Sequence, residues 1–316
     1  MNSVVIGVGA SLPKKCVTNF DLSEYLDTSD EWISTRTGIK QRYIAENETT
    51  ASLATQAAAQ AIEHAGITAS DVDLIIVGTV TGDYTFPSTA TLVQRNLDIK
   101  KGVAFDLSAA CSGFVYALSV ADSFIKSGKA KCALVIGAET FSRIVDWKDR
   151  SSCVLFGDGA GAIVLKGMEG TDRGVQYCKI CSDGRYADCL ITSGGVSSNK
   201  STGVVQMKGG EVFRFAVEKF SESLNELLHD NGMTIQDVDL IVPHQANLRI
   251  IKKLAEVSGI DEKKVIVTIN KHANTSAASI PLALNEFKDA VFSKKNVVLL
   301  SMGAGFTWGS ALIRFS

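Results

Sequence analysis

Ala65-Gly-Ile-Thr-Ala-Ser-Asp-Val-Asp-Leu-Ile-Ile-Val77 returns further along the chain as Asn231-Gly-Met-Thr-Ile-Gln-Asp-Val-Asp-Leu-Ile-Val-Pro243, an offset of 166 residues from Asp71 to Asp237. The two stretches share Gly, Thr and Asp-Val-Asp-Leu-Ile in one register. Each follows a helical stretch, 51–65 in the first and 211–229 in the second, and each runs into an apolar strand. Two further matches lie in order behind them. Val103-Ala-Phe-Asp-Leu pairs with Val265-Ile-Val-Thr-Ile at an offset of 162, and Cys132-Ala-Leu-Val-Ile-Gly pairs with Val297-Val-Leu-Leu-Ser-Met at 165. One pair of apolar strands matches easily by chance; three in order at nearly constant offset argue for a duplicated chain. Within each copy, helix-period segments alternate with short continuous apolar runs, the pattern of buried strands carrying helices on both faces. The expected fold is α/β, with two homologous halves, 1–170 and 171–316, packed face to face across shared inner helices.

The composition fits such a fold. The chain of 316 residues is 46% hydrophobic, with 27 glycines and 4 prolines, as a compact, glycine-turned α/β protein would be. A net charge of −2 gives no global field toward nucleic acid or membrane, so an acidic partner must be met by a local basic patch. The seven cysteines are scattered and suit a reducing compartment. Cys178 and Cys181 form one CxxC without the second pair that a structural zinc site would show. No run approaches the 18 or so apolar residues of a membrane helix, and the first residues lack a signal-peptide pattern, so a cytoplasmic protein is expected. A dinucleotide cradle at Gly7-Val-Gly9 fails, because the motif needs glycine at position 12 and Leu12 stands there.

Candidate chemistry gathers where strands end. Cys111 follows the strand-like run 103–107 and precedes a helical pattern (Phe114, Ala117, Leu118, Ala121), which places its thiol at a helix N-terminus. Unpaired amides and the helix dipole there favour a thiolate, by up to about 2 kcal/mol, so a thiol near 8.5 is expected to fall to about 7. Alone, Cys111 reads more readily as a buried structural cysteine, and the rest of the chain reverses that reading. His244 emerges directly after the apolar run 240–243, where open α/β sheets place ligands. Asn274 follows the matching strand of the second half, in a run that also holds His272. His64 and His229 lie near the ends of the matched helices, where solvated or capping roles are the default. Cys111, His244 and Asn274 form the leading site, which a pseudo-twofold axis would draw together. The same chain order occurs in thiol hydrolases, but their local cysteine signature is absent. The glycine- and serine-rich segment 182–210 reads either as a lid over the site or as a surface connector.

Six stretches carry a resemblance: Thr28-Ser-Asp-Glu-Trp-Ile-Ser-Thr-Arg-Thr-Gly-Ile, Ala109-Ala-Cys-Ser-Gly-Phe, Gly157-Asp-Gly-Ala-Gly-Ala, Val242-Pro-His-Gln-Ala-Asn-Leu-Arg-Ile, His272-Ala-Asn-Thr-Ser-Ala-Ala-Ser-Ile-Pro and Gly303-Ala-Gly-Phe-Thr-Trp-Gly-Ser-Ala-Leu. In these the chain resembles β-ketoacyl-acyl carrier protein synthase III, from about residue 3 to its end. The resemblance implies the thiolase-like fold, five layers in αβαβα order with duplicated halves, and a homodimer. It implies that Cys111 takes an acyl group from a short-chain acyl-CoA, acetyl-CoA being the default starter. The acyl-enzyme then condenses with malonyl-acyl carrier protein as carbon dioxide leaves, which begins fatty acid synthesis. It also implies an oxyanion hole from the backbone N–H groups of Cys111 and Ala304, and His244 and Asn274 as neutral donors to the enolate, each worth about 3 kcal/mol. Asparagine is no base, which favours donation over a Cys–His ion pair.

By the same resemblance Trp32 and Arg150 sandwich the adenine of CoA, Thr28 and Arg36 lie near its ribose and phosphates, and Asn247 near its pantetheine arm. Phe86 stands where the family places a gate across the dimer interface. No cofactor or metal is implied, acyl-CoA being a substrate. Arg249, Lys252 and Lys253 share one helix face and Arg214 extends it, a candidate dock for the acidic carrier protein. Met302, Ala304 and Gly210 depart from the commonest pattern and leave the acyl pocket's shape open. The runner-up reading is a related acyltransferase of secondary metabolism. A degradative thiolase would show a second cysteine between Gly303 and Trp308, where none stands.

Overall fold

The computed structural model describes residues 1–316. Its first half runs β1 (Asn2–Ser11), β2 (Lys15–Thr18), α1 (Asn19–Ser23), α2 (Asp30–Thr37), β3 (Gln41–Ile44) and α3 (Thr50–His64). It continues through β4 (Leu74–Gly78), α4 (Thr89–Asn96), β5 (Val103–Leu107), α5 (Gly113–Lys126), β6 (Cys132–Glu139) and β7 (Gly159–Met168). The second half runs β8 (Gly174–Ser182), β9 (Leu190–Thr192), α6 (Val196–Asn199), β10 (Val205–Met207), α7 (Gly209–Asp230) and β11 (Leu240–Pro243). It ends with α8 (Leu248–Val257), α9 (Ile269–His272), α10 (Ser279–Glu286), α11 (Lys288–Phe292), β12 (Asn296–Gly303) and β13 (Thr307–Arg314).

Two main sheets form, β1-β7-β6-β4-β5 and β11-β12-β13-β8, both mixing parallel and antiparallel pairs, beside the two-stranded pairs β2-β3 and β9-β10. One core joins the inner faces of both sheets to α5 and α10 (Phe114, Leu118, Ile280, Leu284 with Val135 and Leu299). Separate cores seat α3 and α4 on the first sheet and α7 and α8 on the second. These are the five layers of the thiolase-like fold.

The repeat that opens the sequence is a repeat of hydrogen bonds. The N–H and Oγ1 of Thr68 both donate to Asp71 Oδ2 at 2.8 Å, and those of Thr234 donate to Asp237 Oδ2 at the same distance. Asp73 then accepts from the N–H groups of Lys131 and Cys132, as Asp239 does from Lys295 and Asn296. Each Asp-Val-Asp therefore caps one turn and pins the start of a neighbouring strand.

One expected strand is missing. Residues 265–269 make only a single bridge, Ile241 to Val265, in place of the counterpart of β5. The Gln245 carboxamide takes the ladder's place: its Nε2 donates to Ile266 O (3.1 Å) and its Oε1 accepts from the N–H of Thr268 (2.8 Å) and Ile269 (3.2 Å). Gly7 and Gly9 have a packing role, since a Cβ on either would lie 2.3 or 2.2 Å from a carbonyl of α3. Cys178 and Cys181 are three apart on β8 and so point to opposite faces, and both are free thiols.

Candidate active site

Cys111 lies in a 3₁₀ turn, Ala110–Ser112, that links β5 to α5. Ser276 begins the matching turn, Ser276–Ala278, before α10. Ala110 and Ser276 stand 166 residues apart, as Asp71 and Asp237 do, and both hold the left-handed backbone that non-glycine residues rarely adopt, φ +46° and +51°. Such strain persists only where the surroundings fix it, and it gathers at functional sites. Gly303 comes so close that a Cβ there would meet the Cys111 nitrogen at 2.7 Å. The Ala304 N–H, at the following turn, makes no backbone hydrogen bond.

A cavity of about 1170 Å³ joins these residues. It exceeds the roughly 300–1,000 Å³ usual for a small ligand. Cys111, His244 and Asn274, all buried, line it together with Gly303 and Ala304, and its wall extends to Trp32, Arg36, Asn247 and Arg249. The segment 182–210 is a wall of this cavity, not a bare connector: Leu190, Thr192, Val196, Val205 and Met207 all line it, and β9 and β10 pair to stiffen it.

The Cys111 thiol does not behave as the helix-end argument expects. Burial pushes it up to about 12, aided by the Glu139 carboxyl and opposed by the nearby Ser276 hydroxyl and by its own amide. At 7% exposure the loss of hydration outweighs the terminal amides, which favours the neutral thiol.

His244 is neutral as well, since burial lowers it to about 3. Its Nδ1 lies 2.6 Å from Ser279 Oγ, which also accepts the Gln245 N–H at 3.3 Å. Ser279 keeps one proton and a second lone pair, so it holds the ring in place whether it donates to Nδ1 or accepts from it. The Asn274 amide is oriented by its partner too: the Ser276 N–H donates to Asn274 Oδ1 at 2.9 Å, which leaves the NH₂ group as the donor. A neutral imidazole and an oriented carboxamide thus line one cavity.

Three buried polar groups near these residues escape the sequence argument. Ser279 and Gln245 are set by tertiary contacts alone. Glu139 ends β6, whose eight residues are all buried, and a lone acid closing such a strand is the signal that could have found it. Burial raises Glu139 to about 7, against donors from Thr81, Val80, Ser276 and Thr79.

At the outer end, Trp32 is flanked by two guanidinium groups, Arg36 at 4.5 Å and Arg150 at 5.2 Å from its ring centroid. Arg150 is also paired with Asp27 at 3.2 Å. In this arrangement Arg150 lies too near the indole for a flat base to fit between them, so a sandwich requires Arg150 to swing away. Thr28 Oγ1 is buried without a partner. Phe86 is 84% exposed and does not line the cavity of its own chain. Arg249 lines the cavity and lies over Phe213, Lys252 is exposed beside it, Lys253 pairs with Glu256 at 2.7 Å, and exposed Arg214 stands 3.9 Å from Glu218. His272 stands apart from the cavity, 3.3 Å from Glu286.

Comparison with known proteins agrees with this geometry. Residues 105–184 match the family 3-Oxoacyl-[acyl-carrier-protein (ACP)] synthase III and residues 228–315 its C-terminal family. The chain is 55% identical over 316 residues to the β-ketoacyl-[acyl-carrier-protein] synthase III of Rhizorhabdus wittichii, covering 99% of each chain. The crystal structure of 3-oxoacyl-[acyl-carrier-protein] synthase III from Aquifex aeolicus superposes with a TM-score of 0.94 at 49% identity, over 99% of each chain. The priming β-ketosynthase of the R1128 polyketide pathway superposes at 0.91 with 35% identity, over 99% of this chain and 96% of that one. With sequence, fold and cavity in agreement over the whole length, the chain belongs to the β-ketoacyl-acyl carrier protein synthase III family of acyl-transferring condensing enzymes, which start fatty acid synthesis.

Proposed function

We propose that Cys111 takes an acyl group from a short-chain acyl-CoA, acetyl-CoA first among them, and that the acyl-enzyme condenses with malonyl-acyl carrier protein. The observation that carries this reading is the shared wall: a buried thiol, a neutral imidazole and a carboxamide line one cavity large enough for a pantetheine arm. The backbone N–H groups of Cys111 and Ala304 serve as the oxyanion hole of acyl transfer, at the Gly303 close approach. His244 Nε2–H and the Asn274 NH₂ hold the enolate oxygen that forms as carbon dioxide leaves. Burial makes His244 a poor proton acceptor and Asn274 has no basic atom, so neither competes as a base for the malonyl carbon. No cofactor enters these steps.

Trp32, Arg36 and Arg150 receive the nucleotide of CoA, with Thr28 at its ribose and phosphates and Asn247 at the pantetheine. The unpartnered Thr28 hydroxyl and the exposed guanidinium of Arg36 support that placement. Arg214, Arg249, Lys252 and Lys253 form the dock of the carrier protein. Residues 1–170 and 171–316 are the two halves, the first bringing the nucleophile and the second the enolate donors. A homodimer joins two copies through edge strand β5, where Val103 is exposed, and lays Phe86 of one copy over the acyl pocket of the other.

Incubation with radiolabelled acetyl-CoA tests the reading. One thiol-bound label per chain is expected, absent in Cys111→Ser. His244→Ala and Asn274→Ala should keep the label while malonyl decarboxylation falls by about 10²–10³-fold. Loss of label in both folded variants would contradict the division of labour.

A further inference from the structure

Behind the cavity wall, Arg42 of β3 is completely buried, and none of the chain's ion pairs includes it. Burial lowers it only to about 10, so the guanidinium keeps its charge at neutral pH. Its fork spans two carbonyls instead of a carboxylate. Nη1 donates to Val17 O on β2 (3.2 Å) and Nη2 to Val154 O (3.0 Å), while Nε has no partner. A buried cation held only by carbonyls carries a desolvation penalty that an apolar residue of similar size would avoid. Space-filling is therefore not what this residue type is suited to.

The atoms it holds lead to the site. Residues 154–157 lie outside every strand, yet Val154, Leu155 and Phe156 line the cavity. No backbone N–H reaches Val154 O, so the guanidinium is its partner. The residues that follow carry Asn274: its N–H donates to Leu155 O (2.9 Å) and its carbonyl accepts the Gly157 N–H (3.0 Å), a parallel bridge centred on Phe156. Asn274 belongs to the second half of the chain, but both of its main-chain hydrogen bonds go to the first. Directly before it, Ala273 holds φ +57°, a backbone that a non-glycine residue keeps only where the surroundings fix it. Gly157 fills the space between the two partners, since a Cβ there would meet His272 O at 2.8 Å and Arg42 Cβ at 3.1 Å.

We propose that Arg42 is a positioning residue for the condensation step: its guanidinium fastens residues 154–157 to β2 and β3, and these hold the Asn274 carboxamide where the enolate forms. The inference rests on the enolate-donor reading of Asn274 above. Arg42 does not line the cavity and acts only through the segment it binds. Cys111 and Ala304 stand on other segments, the turn after β5 and the turn after Gly303, so acyl transfer does not depend on this tie. Arginine suits the task because its planar fork reaches two carbonyls at once through charge-assisted bonds, whereas lysine has the charge without the fork.

The test is a double-mutant cycle in the full-length protein, with condensation rates normalised to the fraction of chains that take label from acetyl-CoA. Arg42→Met should lower kcat for condensation by about 10²-fold, the cost of a misplacement near 1 Å, and leave the KM for malonyl-acyl carrier protein and the single-turnover rate of Cys111 acylation close to wild type. Arg42→Lys should recover part of the loss. In the Asn274→Ala background Arg42→Met should add less than about threefold, because its effect passes through the side chain already removed. A full-sized further loss in that background, equal losses in acylation and condensation, or a folded Arg42→Met protein that condenses at the wild-type rate would each overturn the positioning role. Should Arg42→Met fail to fold, Arg42→Lys goes through the same cycle and decides by the same criteria. If Asn274→Ala itself condenses at the wild-type rate, the enolate-donor reading falls first; an Asn274→Ala loss that multiplies with the Arg42 loss removes the positioning inference alone.

Discussion

At Cys111, His244 and Glu139 burial decides protonation. A helix end favours a thiolate by at most about 2 kcal/mol, whereas full desolvation shifts a buried group by up to about 3–5 pKa units, so the thiol stays protonated. The residue types were legible in the sequence; their charge states were not, because these depend on how much water the fold leaves around each atom. His244 gives a prediction with a definite sign. Its folded value, about 3, lies below the ordinary 6.5, so the unfolded chain binds more protons between those limits. Stability from the buried neutral ring is therefore complete above pH 6.5 and is lost as pH falls toward 3. The stability difference between wild type and His244→Ala should shrink by about 1 kcal/mol from pH 6.5 to 5.5, as measured by urea unfolding at each pH. Glu139 has the opposite sign, since its folded value is raised from 4.5 to about 7. Its contribution is complete below pH 4.5 and is lost as pH rises through 7, so unfolding of Glu139→Gln should lack that decline.

Among the elements, α8 carries the clearest division between inside and outside. Ile250, Ile251, Leu254 and Ala255 are buried while Arg249 and Lys252 are exposed. The amphipathic spacing showed this face in the sequence. What it did not show is that Arg249 also lines the cavity, which makes it an ambiguous probe of docking. Lys252 lies outside the cavity lining and separates the two roles. Lys252→Glu should raise the KM for malonyl-acyl carrier protein several-fold, with the deficit growing at low salt, and leave acylation by acetyl-CoA unchanged. Steady-state kinetics at two ionic strengths checks this, and equal losses in both steps would argue against a dock on α8. The segment 182–210 marks the limit of composition: glycine and serine fit a connector and a cavity wall alike, and only its pairing and packing distinguish them.

At the scale of the whole molecule the two halves meet through backbone as much as through side chains. A Cβ on Gly137, in β6 of the first half, would lie 2.2 Å from the Ala277 carbonyl of the second. Gly161 in β7 approaches Pro281 and Leu282 of α10 at 2.7 Å in the same way. Gly137→Val should therefore destabilise the protein by about 3 kcal/mol or more, seen as a lowered Tm, and an unchanged Tm would show that the halves meet more loosely than this contact implies. The repeated Asp-Val-Asp-Leu-Ile, the apolar runs and the strand-end Cys, His and Asn determined by themselves that the chain is a duplicated α/β protein and which residue types face its cleft. These are local patterns of period and spacing, and a sequence carries them openly. The tertiary structure alone decided that the thiol rests protonated, that the His244 ring packs against Ser279, that Gln245 replaces a strand, and that a carboxyl, Glu139, is buried among Thr79, Val80, Thr81 and Ser276. Each of those depends on atoms from distant segments meeting in a space without water, and no local pattern records which segments meet.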